Sequence, residues 1–273
     1  MTTLLVDGHV HLYEVHDRDV FFDRALANLQ AAAGQLGSES DWCGCLLLSE
    51  TSRDDAFDEL AGQAGRPADG SWCFARTDDD GALVASRAKR AGKLLVIAGR
   101  QIQTAEGLEV LGLCCRARVP DGLTLQDTLD DLRRLDAVAV LPWGFGKWWS
   151  QRGRLVRDLL TSGDANDVYL GDNGGRPGLF GRPALFDLAD QRGMKVLPGS
   201  DPLPIAAEAR SVGRCGFALE GRVDLARPAS GFKALLRAQT VQPRRFGRQE
   251  SLSRFCRNQV LLRLPRRRSA ASA

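Results

Sequence analysis

Three histidines among 273 residues, no C-x-x-C pair and no long apolar run already narrow the reading of this chain. No apolar stretch approaches the roughly 18 to 20 residues that a membrane-spanning helix requires. The opening MTTLLVDGHVHLY lacks a basic n-region, a long h-region and an A-x-A-like site, so a soluble, cytoplasmic chain without a transmembrane segment is expected. The absence of C-x-x-C argues against a zinc ribbon and a thioredoxin-like site. There is no G-x-S-x-G elbow and no G-x-x-x-x-G-K-[ST] loop, so the sequence offers neither an α/β-hydrolase nucleophile nor a P-loop. Asp78-Asp79-Asp80-Gly81 lacks the spaced ligands and terminal Glu of an EF-hand and reads as a turn.

What is present suffices for a globular fold. With 44% hydrophobic and 26% charged residues, the chain can bury a core without disulfides. Its seven cysteines, an odd number and several inside apolar runs such as CGCLLLS and GLCCRA, read as small buried hydrophobes of a reducing compartment. The net charge of +3 conceals a division: from Gly231 onward the chain carries +10, and the remainder −7. A basic segment on an acidic body can meet nucleic acid, an anionic surface or the body itself. Only Phe232, Phe246 and Phe255 interleave it and no nucleic-acid module accompanies it, so a solvated tail is the simpler reading and a nucleic-acid partner is not favoured.

Short apolar runs alternate with amphipathic stretches, the pattern of βα units on a parallel sheet. Strands are expected at Leu4–Gly8, Gly44–Ser49, Trp72–Arg76, Leu94–Ala98, Val110–Cys114, Ala137–Leu141, Val168–Gly171 and Lys195–Pro198. Helices are expected over Asp19–Leu36, behind Thr124 as an N-cap, and from Arg182-Pro183 to Arg192-Gly193.

The chemistry concentrates where strands end. LLVDGHVHLY runs an apolar strand into His9-x-His11, and residues two apart on an extended backbone share a face, so both imidazoles can converge on one point. Finding His9, His11 and His16 within eight residues, when the chain has no other histidine, favours metal ligation over packing. A second apolar strand, in KVLPGSDPLP, delivers Asp201, although Gly-Ser-Asp-Pro is also good turn chemistry. Two imidazoles and a carboxylate would leave coordination positions open for water and substrate.

The order of HxH, KLLVIAGRQIQTAEGLEVLGLCC, VPDGLTLQDTLDDLRRLDAVAVLPWG, VYLGDN and GSD resembles the PHP (polymerase and histidinol phosphatase) family over about residues 4 to 204. The resemblance implies a metal-dependent phosphoesterase on a distorted, TIM-like (βα)7 barrel over residues 1–205, followed by a helical, basic C-terminal extension with an Arg-rich tail over 206–273. Amidohydrolase barrels share HxH and a late Asp and are the alternative relatives. The chain departs from the PHP pattern at Ser49-Glu50, Gly99-Arg100-Gln101, Leu141-Pro142 and Pro202-Leu203, where the family carries further ligands. Gln101 offers one neutral carbonyl oxygen, and Leu141 and Leu203 offer none, so a trinuclear cluster is not expected.

What survives implies one divalent ion (Zn, Mn or Fe) on His9, His11 and Asp201, with Gln101 as a weak oxygen ligand or an outer group. His16 and Glu50 stand where the resemblance places a further site. Asp172 and Glu50 are the candidates for handling the proton of an attacking water. In PWGFGKWWSQRG, Trp143 and Lys147 could line an amphipathic mouth, while Trp148 and Trp149 could equally begin a helix and pack; Arg176 in DNGGRPG suits a phosphate or carboxylate. The expected activity is hydrolysis of a small-molecule phosphate ester. The alternative from another class is a catalytically degenerate scaffold that binds a ligand through the tryptophan loop and the basic tail.

Overall fold

The computed structural model describes residues 2–38, 41–66, 72–87, 92–163 and 167–263. Arg266, Arg267 and Arg268 of the basic tail lie outside the described residues. In chain order the elements are β1 (Thr3–Val10), α1 (Arg18–Leu36), β2 (Trp42–Leu48), α2 (Ala56–Gly62), β3 (Trp72–Arg76), β4 (Ala82–Arg87), β5 (Lys93–Ile97), β6 (Gly99–Gln103), β7 (Glu109–Leu113), α3 (Leu125–Arg134), β8 (Val138–Pro142), α4 (Gln151–Thr161), β9 (Val168–Asn173), α5 (Ala184–Gln191), β10 (Val196–Gly199), β11 (Cys215–Glu220), α6 (Pro228–Arg237), β12 (Arg244–Gly247) and α7 (Leu252–Arg263).

Among the described residues these strands form two mixed sheets, ordered β12-β11-β1-β2-β5-β4-β3 and β10-β9-β8-β7-β6. They do not close into the TIM-like (βα)7 barrel that the sequence suggests. Only β1-β2, β2-β5, β8-β9 and β9-β10 pair in parallel. The meanders β3-β4-β5 and β6-β7-β8 are antiparallel, and such neighbours need no crossover helix. Nor is the chain after residue 205 a helical extension: β11 lies antiparallel beside β1, and β12 beside β11.

Strand periodicity explains the layering. In β1, which is buried throughout, Leu4 and Val6 face the core between the sheets, with Cys45, Leu47, Ile97, Val140 and Phe217. Leu5 turns the other way, into a core that α1 closes with Phe21, Phe22, Ala25 and Leu29. A third core lies under α3, α4 and α5. Asp17 caps α1 by accepting from the Val20 N–H, and Thr124 caps α3 by accepting from the Asp127 N–H. Asp79, in the acidic turn, caps α6 by accepting from the N–H groups of Ala229 and Ser230. Burial pushes the thiols of Cys43 and Cys215 up to about 11 and that of Cys114 up to about 12, in keeping with a packing role.

The chain passes from one sheet to the other at Ala98. Gly99 is required there, because a Cβ on it would lie 2.2 Å from the Leu48 carbonyl oxygen. The sheets are stitched where β2 meets β6, the Glu50 N–H donating to the Gly99 carbonyl at 3.0 Å and the Gln101 N–H to the Glu50 carbonyl at 2.7 Å. They are stitched again where β1 meets β10, by the Asp201 N–H donating to the His9 carbonyl at 2.8 Å. The two junctions bring the ends of β1, β6 and β10 to one place.

Candidate metal centre

At that place four acceptor-bearing side chains converge. His9 Nε2 lies 3.0 Å from His11 Nε2 and 3.2 Å from Gln101 Oε1. Asp201 Oδ1 is 3.7 Å from His9 Nε2 and 3.6 Å from His11 Nε2. Ligand atoms held at 2.0–2.2 Å around one tetrahedral ion stand ~3.4 Å apart, and cis ligands of an octahedral ion ~3.0 Å apart, so the observed spacings suit a single cation. Among the described residues His9, His11 and Asp201 are the group of metal-ligating side chains that comes together in this way.

The electrostatics agree. Burial, reinforced by repulsion from His9, pulls the His11 imidazole down to about 4, so near neutral pH its ring is neutral, the state a metal ligand requires. Burial pushes the Asp201 carboxyl up, but His9, His11 and Lys147 together outweigh it and hold the group below the usual carboxylate value. Two ring nitrogens, an amide oxygen and a carboxylate oxygen can share at most a few protons among themselves, and the remaining lone pairs face one another. His11 Nδ1 is buried without a hydrogen-bond partner.

Asp201 is held from three sides. Its backbone is left-handed (φ 48°), strained for a residue other than glycine, and its N–H is tied to β1 as described. Asn173 Nδ2 donates to Asp201 Oδ2, and Asn173 Oδ1 accepts from the Gly175 N–H at 2.7 Å. Asp7 accepts from the Ser200 N–H (2.8 Å), the Ser200 hydroxyl (2.5 Å) and the Gly213 N–H (2.7 Å), which fixes the turn that carries Asp201. Of the two supporting residues, the sequence reading passes over Asp7 and takes Asn173 only together with Asp172. Asp7 was signalled by its position two residues before His9; Asn173 was masked by Asp172, because neighbours on a strand face opposite ways and the sequence did not say which faced the site.

No protein-family model matches the chain, and no curated protein matches it. The fold recurs in solved structures. PsfC from Pseudomonas syringae PB-5123 is 18% identical with a TM-score of 0.57, over 96% of this chain and 98% of that one. PfuEndoQ from Pyrococcus furiosus, a lesion-specific endonuclease, is 12% identical with a TM-score of 0.53, over 89% of this chain and 58% of that one. At these identities the likeness is one of fold, over nearly all of PsfC and a little over half of PfuEndoQ.

The other residues singled out from the sequence lie around the cluster or away from it. His16 Nε2 is 2.9 Å from the Leu203 carbonyl oxygen, which can only accept; Nε2 therefore carries the hydrogen and Nδ1 accepts from the Tyr13 N–H at 3.4 Å. Both ring nitrogens are thus occupied, Nε2 with the segment after Asp201 and Nδ1 with the loop after β1. Glu50 accepts from the Phe57 N–H at 2.5 Å and pairs with Arg100 at 2.8 Å, and burial pushes its carboxyl up to about 7. Asp172 is bound in two places by Arg176 (2.9 and 3.0 Å) and again by Arg245, all on the face of β9 opposite Asn173. Arg176 is buried in that pairing, with its guanidinium 5.8 Å from the centre of the Trp143 ring.

Lys147 pairs with Glu109 and, with Trp143, Asn173 and Asp201, lines an inner pocket of about 280 Å³ that α7 covers with Phe255 and Asn258. Trp143 and Phe145 also belong to an outer cleft of about 620 Å³. Of the two neighbouring tryptophans, Trp148 packs against Phe186 in the core and Trp149 stays exposed. Among the described residues, no helix is long and apolar enough to cross a membrane.

Proposed function

We propose that the chain is a PHP-like, metal-dependent hydrolase acting on a phosphate ester. The observation that carries this reading is the convergence of His9, His11, Gln101 and Asp201 on one point, at spacings that fit a single ion. Zn, Mn or Fe would be held by the two imidazoles and the carboxylate, with the Gln101 oxygen as a weaker neighbour. A bound ion of this kind lowers the pKa of water towards neutrality and polarises a phosphoryl oxygen.

The chain's own residues supply the rest. Asn173 donates to one oxygen of Asp201 and so turns the other towards the imidazoles. Lys147 places a positive charge at the pocket wall, where an anionic ester would enter. The buried turn tied to Asp7 keeps the carboxylate from swinging out. Because PfuEndoQ is an endonuclease, phosphodiesters belong beside monoesters among the candidate substrates.

A second reading has its own observation. Glu50 and Asp172, the acids expected to handle a proton, are engaged by the buried Arg100 and Arg176 respectively. A scaffold that keeps the fold without turnover would look like this, and the metal separates the two readings. We expect protein purified without chelator to carry about one equivalent of Zn, Mn or Fe, the His9→Ala, His11→Ala double variant to carry none, and only the first to hydrolyse p-nitrophenyl phosphate or its bis-ester. No bound metal, with no thermal shift on adding any of the three, would overturn the hydrolase reading.

A further inference from the structure

The outer cleft beside the metal centre carries a cluster of partly exposed aromatic rings, two of which, Phe145 and Phe180, also meet Phe255 of α7 edge-on at 5.6 Å. Phe145, Trp149 and Phe180 are 48%, 62% and 42% exposed, yet they are organised: Phe145 stacks on Phe180 with ring centres 5.4 Å apart and meets the Trp149 ring edge-on at 5.2 Å. Isolated exposed aromatics are unremarkable, whereas a contiguous shelf of three on the wall of a cleft marks a binding surface. In the same cleft, α4 presents Arg154 and Arg157, three residues apart and therefore on one face of the helix. Both are exposed, and among the described residues neither guanidinium is held by an ion pair or a hydrogen bond. The volume of about 620 Å³ is of the size that accommodates a small organic ligand.

A flat ring beside an anion satisfies both features at once. We propose that the outer cleft binds a nucleotide, its base stacked on the Phe145–Trp149–Phe180 shelf and its phosphate held by Arg154 and Arg157. Trp143 and Phe145 line both this cleft and the inner pocket, so a ligand seated here continues towards Asp201 and Lys147. An ester attached to the bound nucleotide would therefore face the metal centre; this last step rests on the proposed hydrolase reading, whereas the binding itself does not.

The test uses the full chain stripped of metal with EDTA, with AMP, adenosine and ribose 5-phosphate as probes, followed by tryptophan fluorescence and calorimetry. AMP is expected to bind and to quench fluorescence, with adenosine and ribose 5-phosphate each weaker by about tenfold. The Trp149→Ala variant and the Arg154→Glu, Arg157→Glu double variant should each weaken AMP by about tenfold or more, as loss of one base stack or of the phosphate contacts does. All three positions are exposed, and matching thermal melts would show the variants folded. Absence of AMP binding at millimolar concentration, equal affinity for ribose 5-phosphate, or affinity unchanged in both variants would overturn the proposal. Since metal is removed, AMP binding by a chain that carries no metal when purified would sustain the cleft and sink the hydrolase, and the reverse result would do the opposite.

Discussion

Asn173 shows how little a side chain need do to matter. It touches neither imidazole; one hydrogen bond to Asp201 Oδ2 and one from the Gly175 N–H set the orientation of the carboxylate. Partners of this kind are worth about 10- to 100-fold in metal affinity at other sites. The Asn173→Ala variant is therefore expected to bind zinc ~10-fold or more weakly than the parent in a chelator competition titration, with its thermal melt little changed. Equal affinities would show that the strained backbone at Asp201 suffices to place the carboxylate. At this scale the sequence was legible wherever parity decides: His9 and His11 follow a strand at spacing two and do converge. It was illegible for His16, Glu50 and Asp172, whose residue types suit a site but whose partners include groups from distant segments: the Leu203 carbonyl, Arg100 and, beside the nearby Arg176, Arg245.

Among the elements, those that read clearly were bounded by strong local signals: β1, β2, β5 and β8 to β10 are continuous apolar runs, and α1 and α3 carry their caps. Of the strands that the sequence reading does not mark, β6 and β12 are short and polar, reading GRQIQ and RRFG, whereas β4 and β11 are six residues long and β11 is largely buried. Without β6 the antiparallel meander is not visible in the sequence, and the remaining apolar runs read as a parallel barrel. The last helix, α7, is secured mainly by charge. Arg254 donates to Glu208 at 2.9 Å and pairs with Glu250 at 3.1 Å, while Asn258 donates to Glu208 at 3.1 Å. Burial pushes the Glu208 carboxyl up, but Arg254 and Asn258 outweigh it and hold the group below the usual value. The Arg254→Ala variant leaves that buried carboxylate with one neutral donor of the two, at an expected cost of about 1–3 kcal/mol in urea unfolding. It should also free α7 to lift from the inner pocket, detectable as faster amide exchange confined to residues 252–263. A loss spread evenly over both sheets would contradict this account of how α7 is held.

For the molecule as a whole, four buried groups with shifted affinities for protons should shape stability against pH. Burial raises Asp7 from 3.8 to about 6 and Glu50 from 4.5 to about 7, so below those values the folded chain binds protons that the unfolded chain has released, and stability grows as pH falls. His11, lowered from 6.5 to about 4, and His16, lowered also, act in the opposite sense, since the unfolded chain binds their protons first. Between about pH 4 and 6.5 the acids and the imidazoles therefore offset one another, and the parent protein should change little. The Asp7→Asn variant breaks the balance. Its amide has one oxygen where the carboxylate offers two to the N–H groups of Ser200 and Gly213 and the Ser200 hydroxyl, so it should be less stable at every pH. The deficit should be larger on the acid side by about 2 kcal/mol, because at pH 4.5 the parent gains from a protonated Asp7 and the variant cannot. Urea titrations at pH 4.5 and 7 decide it. A deficit independent of pH would mean that Asp7 stays ionised throughout, and that its four donors, the His9 N–H at 3.4 Å included, outweigh its burial.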